Sequence, residues 1–277
     1  IMINIKYFFQ SLFIFFLFLV FKLIGLRFSR ILASKILLIF GPFFRSKKII
    51  ENNISLVFPQ SNFEFKNNII NNMWKSYGKI LAEYIFIKHF RNINTQNFLE
   101  IKGQEILDEV KISKNPVIFV SGHFDNFELM AMHIEKSGID LAAIYRPLNN
   151  IFLNPLMENI RKKYICSKQI KKGISGTKEI LKHFKSGTSI ALMIDQRVSQ
   201  GTRTLFFNKE ALTTTIPAQF VKKFNCKVIP IYIERKNNEN FILEIMKPLN
   251  FENSQTIDNI TLKLNQSLEK MIIKNPN

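Results

Sequence analysis

His123, Asp125 and Glu128 stand close together in Ser121-Gly122-His123-Phe124-Asp125-Asn126-Phe127-Glu128-Leu129, and all three are residue types that move protons. An imidazole with one ring nitrogen held by a carboxylate can take a proton from a hydroxyl with the other. On a regular helix His123 and Glu128, five positions apart, would point about 140° from each other and could not meet. If His123 lies in a loop and Glu128 in the first helical turn, the loop can fold the imidazole back onto the carboxylate. The helix N-terminus beside them would favour developing negative charge. Glu128 could then accept from one ring nitrogen of His123 and leave the other free, with Asp125 a second carboxylate close by. The same residues have an architectural reading as well: Asp125-x-x-Glu128 is an acidic form of the capping box, with Asp125 as N-cap.

That chemistry needs a strand before the cluster and a helix after it. The apolar run Val117 to Val120 reads as a buried strand within 116–121, and Phe127, Met130, Ala131 and Ile134 give a helical face over 126–137, closed by Gly138. Further strands are expected over Phe98–Lys102, Asp140–Tyr145, Thr188–Ile194, Cys226–Glu234 and Phe241–Met246. Helices are expected over Gln104–Val110, 150–163, 174–186, Leu212–Phe224 and Thr256–Ile273. This alternation predicts an α/β fold, a mixed central sheet flanked by helices. Two more strands end in polar groups: Arg146 follows one and Asp195-Gln196-Arg197 the other. In open α/β sheets the carboxyl ends of strands gather at one edge, so these groups and His123 are expected around one pocket. Arginine suits phosphate there, because its fork donates two parallel hydrogen bonds.

The region ahead of residue 96 is different. Tyr7 to Phe21 carries no charge, Lys6 and Lys22 bracket it, and residues 3–26 could cross a membrane with Lys22 snorkelling. Lys22, Arg27, Arg30, Lys35, Arg45, Lys47 and Lys48 follow, and no acid precedes Glu51. The positive-inside rule then places the bulk of the chain in the cytoplasm behind a single N-terminal anchor. Ile31 to Phe44 reads either as an interfacial helix on anionic lipid or as a helix packed on the domain. Residues 46–60 and 62–90 look helical, with a break expected near Ser76-Tyr77-Gly78, and Trp74 and Tyr77 read as core. The expected organisation is an anchor over 1–27, a helical membrane-proximal region over 28–95 and an α/β catalytic region over 96–277.

The chain has 277 residues, 47% hydrophobic, with a formal charge of +18. A+T-rich codon usage (Lys, Asn, Ile, Phe) accounts for part of that basicity, and an anionic partner for the rest. Nucleic acid is not expected as that partner, because the basic residues are dispersed and no recognition motif is present. A metal-dependent hydrolase built on His123, Asp125, Glu128 and His133 lacks a second His-rich cluster. Cys166 and Cys226 form no metal-type pair and no disulfide framework.

Ser121 to Leu129 resembles the signature of the lipid A late acyltransferases, the lauroyl/myristoyl acyltransferase family of Gram-negative bacteria, within the wider glycerolipid-type acyltransferases that share His-x-x-x-x-Asp/Glu. Asp125 stands where that family commonly has Gly, and Phe127 where it has Trp. Tyr145-Arg146-Pro147 with the downstream Arg161, Asp195-Gln196, and Phe206-Phe207-Asn208-Lys209-Glu210-Ala211-Leu212-Thr213 are similar to further family segments, with Asn208 where Gly is usual. The resemblance implies a glycerolipid-acyltransferase-like fold and transfer of a fatty acyl chain from acyl carrier protein to a hydroxyl of a lipid A precursor, with no cofactor and no metal. His123 would be the catalytic base and Glu128 its orienter, with Asp125 as the reserve partner, and Arg146, Arg161, Asp195 and Gln196 would bind substrate; Arg197, at the same strand end, is expected to bind substrate with them. Partners would be acyl carrier protein, the lipid A precursor and anionic lipid of the cell inner membrane. Acylation of another glycolipid or phospholipid is the alternative within the enzyme class, and a membrane-tethered basic binding protein is the alternative from a different class.

Overall fold

The structure, a computed structural model, describes residues 2–237 and 239–276. The chain forms two compact units. One runs through Phe90 and takes in Asn150–Phe152 and the residues from Ile272 onward; the other comprises Arg91–Asn149 and Leu153–Met271.

The first unit is helical. Helix α1 (Met2–Phe40) is long and apolar enough to cross a membrane, and it is broken at Gly25, whose φ of 77° and ψ of 166° lie outside helical values. Helices α2 (Lys47–Val57), α3 (Phe63–Tyr84) and α4 (Ile87–Asn92) follow. Asn62 starts α3 by accepting the Phe65 N–H at 2.8 Å. The expected break at Ser76-Tyr77-Gly78 does not occur. Gly78 lies inside α3 because α1 passes there: a Cβ at Gly78 would come within 2.3 Å of the Ala33 carbonyl oxygen. A buried ion pair, Arg30 Nε to Glu83 Oε1 at 2.6 Å, ties the same two helices. The stretch after Gly25 thus packs one side on α3, burying Ser29, Arg30 and Ala33, and exposes Phe28, Ile31, Ile39, Phe43 and Phe44. Trp74 joins Ile50, Ile54, Ile69 and Ile70 in the core, as expected, whereas Tyr77 is exposed.

The second unit is built on a mixed seven-stranded sheet. In chain order its strands are β1 (Leu99–Lys102), β2 (Ile118–Ser121), β3 (Leu141–Tyr145), β4 (Lys168–Lys171), β5 (Ser189–Met193), β8 (Val228–Lys236) and β9 (Asn240–Ile245). Their spatial order is β1-β9-β8-β2-β5-β3-β4, parallel throughout except at β8–β9. Strand β2 is buried at every position and lies between β8 and β5, as a continuous apolar run between two parallel neighbours must. Around the sheet lie α5 (Gln104–Ser113), α6 (Glu128–Lys136), α7 (Asn154–Ile160), α8 (Ile174–Lys185), α9 (Ile216–Phe224) and α10 (Ile257–Lys274).

Three expectations change here. Leu212 is not helical: it belongs to a separate antiparallel hairpin, β6 (Thr202–Phe206) and β7 (Lys209–Thr213). Helix α9 starts only at Ile216, which puts Pro217 in the first turn, where a missing N–H costs nothing. The hairpin turns on Phe207 and Asn208, with φ of 48° and 59°, and asparagine tolerates that left-handed backbone better than most residues. Strand β4 was not anticipated, because Lys-Gln-Ile-Lys buries only Ile170 and sits at the sheet edge. The helix expected over 150–163 is shorter and runs into a π-helical segment, Arg161–Ile165.

Candidate active site

The site forms where β2 and β5 end side by side. They pair in parallel with Ser121 opposite Met193, and the ladder continues one step further as the Ile194 N–H donates to the Ser121 carbonyl at 2.9 Å. Two residues beyond that register stand His123 and Asp195. The Asp195 carboxylate accepts the His123 backbone N–H at 2.9 Å, and its oxygens lie 2.8 and 3.0 Å from the ring Nδ1. Asp195 therefore holds the Nδ1–H tautomer and turns Nε2 outward. The only hydrogen-bonding contact of Nε2 among the described residues is the Gln196 amide nitrogen, at 3.5 Å. The ring also packs edge-on against Phe127, centroids 4.8 Å apart, and its side chain is 34% exposed. An imidazole that is oriented on one side and open on the other has the geometry of a general base.

Glu128 does not meet His123. It opens α6, and its Oε1 accepts from Arg161 Nε at 2.8 Å and Nη2 at 2.7 Å. The two side chains are only 8% and 12% exposed, so the pair is a buried one. Arg161 also lies 5.7 Å from the centre of the Tyr145 ring. The expected contact between His123 and Glu128 is thus replaced by a hydrogen-bonded pair, His123–Asp195, and an ion pair, Glu128–Arg161. The cause is the sheet: β5 brings a carboxylate to Nδ1 from 72 residues away, and Glu128 is left for the arginine.

Asp125 serves neither as partner of His123 nor as N-cap. Residue 127 takes the cap position of α6 without a side-chain cap bond. Asp125 sits at φ 36°, accepts the Arg235 backbone N–H at 2.8 Å and lies 3.4 Å from Arg235 Nε, which ties the loop to β8. Arg235 was missed in the sequence. It lies inside a strand pattern, and no local signal links it to a residue 110 positions earlier.

Arg146 and Arg197 end β3 and β5 at the same edge as His123; both are exposed, and neither makes a hydrogen bond or ion pair among the described residues. At the foot of Arg146, Tyr145 donates to Glu158 at 2.7 Å, and Asn154 donates to the same carboxylate at 2.9 Å. These bonds, and Lys171 beside them, pull the Glu158 carboxyl down to about 2, while burial and Glu158 push the Tyr145 phenol up. Asp195 and Gln196 also border a cavity of about 330 Å³ whose other walls come from the β6–β7 hairpin and α10. Of the sequence-derived candidates, the structure brings His123, Asp195 and Gln196 into contact, joins Glu128 to Arg161, sends Asp125 to Arg235, and leaves Arg146 and Arg197 unengaged at the rim.

Comparison with known proteins bears on what this arrangement does. The sequence model of the family described as bacterial lipid A biosynthesis acyltransferase matches residues 2–277. A lipid A biosynthesis acyltransferase of Haemophilus influenzae is 24% identical over 235 residues, covering 83% of this chain and 74% of that protein. A lipid A biosynthesis lauroyltransferase of Escherichia coli is 24% identical over 242 residues, covering 84% of this chain and 76% of its own length. The match spans both units and the His123 loop alike, and the chain belongs to the bacterial lipid A biosynthesis acyltransferase family: it is an acyltransferase of lipid A synthesis.

Proposed function

We propose that the chain transfers a fatty acyl group from acyl carrier protein to a hydroxyl of a lipid A precursor, with His123 as general base and Asp195 as the residue that orients it. The observation carrying this is the bond from His123 Nδ1 to Asp195 at 2.8 Å beside an open Nε2. The acceptor hydroxyl gives its proton to Nε2 as its oxygen attacks the thioester carbonyl. Asp195 stabilises the imidazolium that results. The tetrahedral oxyanion needs a positive neighbour, and Arg161, held in place by Glu128, supplies it. On collapse the C–S bond breaks, the imidazolium returns its proton to the thiolate, and ester and free carrier thiol leave. No metal or cofactor enters this scheme. The basic surface of the chain, +18 in formal charge, suits an acidic carrier and an anionic membrane. We place α1 in the inner membrane and the catalytic unit on its cytoplasmic side, on the strength of Arg27, Arg30, Lys35, Arg45, Lys47 and Lys48 after the apolar run.

The test is an acyl-transfer assay on the full chain, with acyl carrier protein thioester as donor and a tetra-acylated lipid A precursor as acceptor, and product read by mass spectrometry. Wild type forms the extra ester. His123→Ala and Asp195→Asn each lower kcat by about 10²- to 10⁴-fold, the scale of general-base loss. Wild-type rates in His123→Ala would remove the assignment.

A further inference from the structure

The β6–β7 hairpin stands apart from the main sheet, and with the end of β5 and with α10 it encloses the 330 Å³ cavity. The proton transfer described above makes no use of this space. Yet two of its wall residues, Asp195 and Gln196, are the ones that touch His123. His123 is not itself a wall residue, but a group bound there lies one side chain, Gln196, away from its Nε2.

The walls are graded. Gln196, Arg197, Arg203 and Glu210 are exposed at the rim, while Ile194, Thr213, Asn265 and Leu268 are buried. The polar floor is rigid, since Asn265 Nδ2 donates to the Leu205 carbonyl at 2.9 Å and to Thr213 Oγ1 at 3.1 Å. The rim offers two guanidinium groups. Arg203 is 78% exposed and only 3.6 Å from Glu210, a solvated pair that gives way readily to a better anion. Arg197 has no hydrogen bond or ion pair among the described residues. Two such forks beside a polar hollow match a phosphate carried on a hydroxylated ring. The volume is at the low end for small-molecule sites, enough for one sugar ring with its phosphate. A fatty chain would meet the charged rim.

We propose that this cavity receives one phosphosugar unit of the acyl acceptor, with its phosphate on Arg203 and Arg197, so that the acceptor hydroxyl is delivered to His123 Nε2. The proposal rests on the acyl-transfer reading and adds the place where the acceptor is gripped. It makes the hairpin, through Arg203 and Ala211, the element that sets acceptor affinity.

Two variants of the full chain test it. Arg203→Gln changes an exposed side chain and leaves the fold alone; Ala211→Phe fills the cavity. With each substrate varied against a saturating level of the other, both variants raise the acceptor KM about tenfold, with donor KM and kcat within about twofold of wild type. An unchanged acceptor KM in Arg203→Gln, or a rise confined to the donor KM, overturns the proposal; the second result would give the cavity to the carrier's phosphorylated arm. A turnover-free measurement separates this inference from the reading beneath it. Glucosamine 1-phosphate, titrated by calorimetry, binds wild type about tenfold more tightly than Arg203→Gln, the scale of one lost charge-assisted contact. Equal binding to the two proteins overturns the proposal even where acyl transfer is intact, and absent acyl transfer with the binding difference preserved would sink only the activity.

Discussion

His123 is oriented by Asp195, the partner that the proposed mechanism needs, and Asp125, at a left-handed backbone position, is held by Arg235. The family pattern commonly has glycine at position 125, and φ 36° supplies the reason, since a left-handed residue costs an L side chain about 1–2 kcal/mol that glycine does not lose. Aspartate is accepted here because its carboxylate binds Arg235 twice. Asp125→Ala keeps the backbone cost and breaks a buried ion pair, so it should destabilise by about 3 kcal/mol. Asp125→Gly loses the pair but relieves the backbone and should retain about 1 kcal/mol more than Asp125→Ala. Thermal unfolding in detergent gives that order, and a more stable alanine variant would refute it. His133 sets a pH dependence of its own. Burial, with Lys136 nearby, lowers its pKa to about 4, and its Nε2 lies 2.9 Å from Gln104 Oε1. The unfolded chain takes up this proton near pH 6.5 and the folded chain only near 4. Stability is therefore full above pH 6.5 and falls as pH drops toward 4, by at most about 3 kcal/mol. His133→Gln should flatten the wild-type decline in Tm between pH 7 and 4.5. A decline equally steep in both would reject this origin.

Among the elements, α1 and α3 are held at close range by a missing side chain. Gly78 looked in sequence like a helix break, because glycine weakens a helix by about 1 kcal/mol relative to alanine. In the structure it is a contact, with the Ala33 carbonyl where its Cβ would be. Gly78→Ala should gain that propensity yet force two backbones apart, for a net loss of about 1–3 kcal/mol. Faster proteolysis of the helical unit, with folding of the sheet unit kept, is the expected result; unchanged resistance would show that the helices can separate freely. The β6–β7 hairpin was hidden for the opposite reason. Its residues alternate weakly, Thr-Arg-Thr-Leu-Phe against Lys-Glu-Ala-Leu-Thr, and a run of threonines before Pro217 imitated a helix start. What fixes the hairpin is the pair of positive φ values at its turn, which sequence periodicity does not carry.

At the scale of the whole molecule, the chain joins a long apolar helix to an α/β sheet with its polar groups at one edge. The proposed placement of α1 in the inner membrane has a consequence beyond Gly25. The side of α1 that faces away from α3 stays apolar through Phe28, Ile31 and Ile39, and the 3-10 turn after it, Gly41–Phe43, carries Phe43, which is 84% exposed. Arg27, Lys35, Arg45 and Lys47 flank it. In vesicles containing anionic lipid, a Phe43→Trp variant should be quenched by bromines on the acyl chains and protected from aqueous iodide. The native Trp74 is buried in the helical core and provides the background signal. Iodide quenching without lipid quenching would place this stretch in water.

The sequence by itself determined the α/β class, the apolar N-terminal helix, the strand that leads into His123, and the polar groups following β3 and β5 at the same edge. These follow from periodicity and from polar punctuation, which are local. Only the tertiary structure decided which carboxylate holds the imidazole and which hold the arginines. Parallel pairing of β2 with β5 carries Asp195 to the imidazole across 72 residues, and packing against Arg161 and Arg235 takes Glu128 and Asp125 away from it. Five positions of chain bring two residues near each other, but the choice of partner is made by strand register and by which buried charge most needs an opposite one, and neither is written in local spacing.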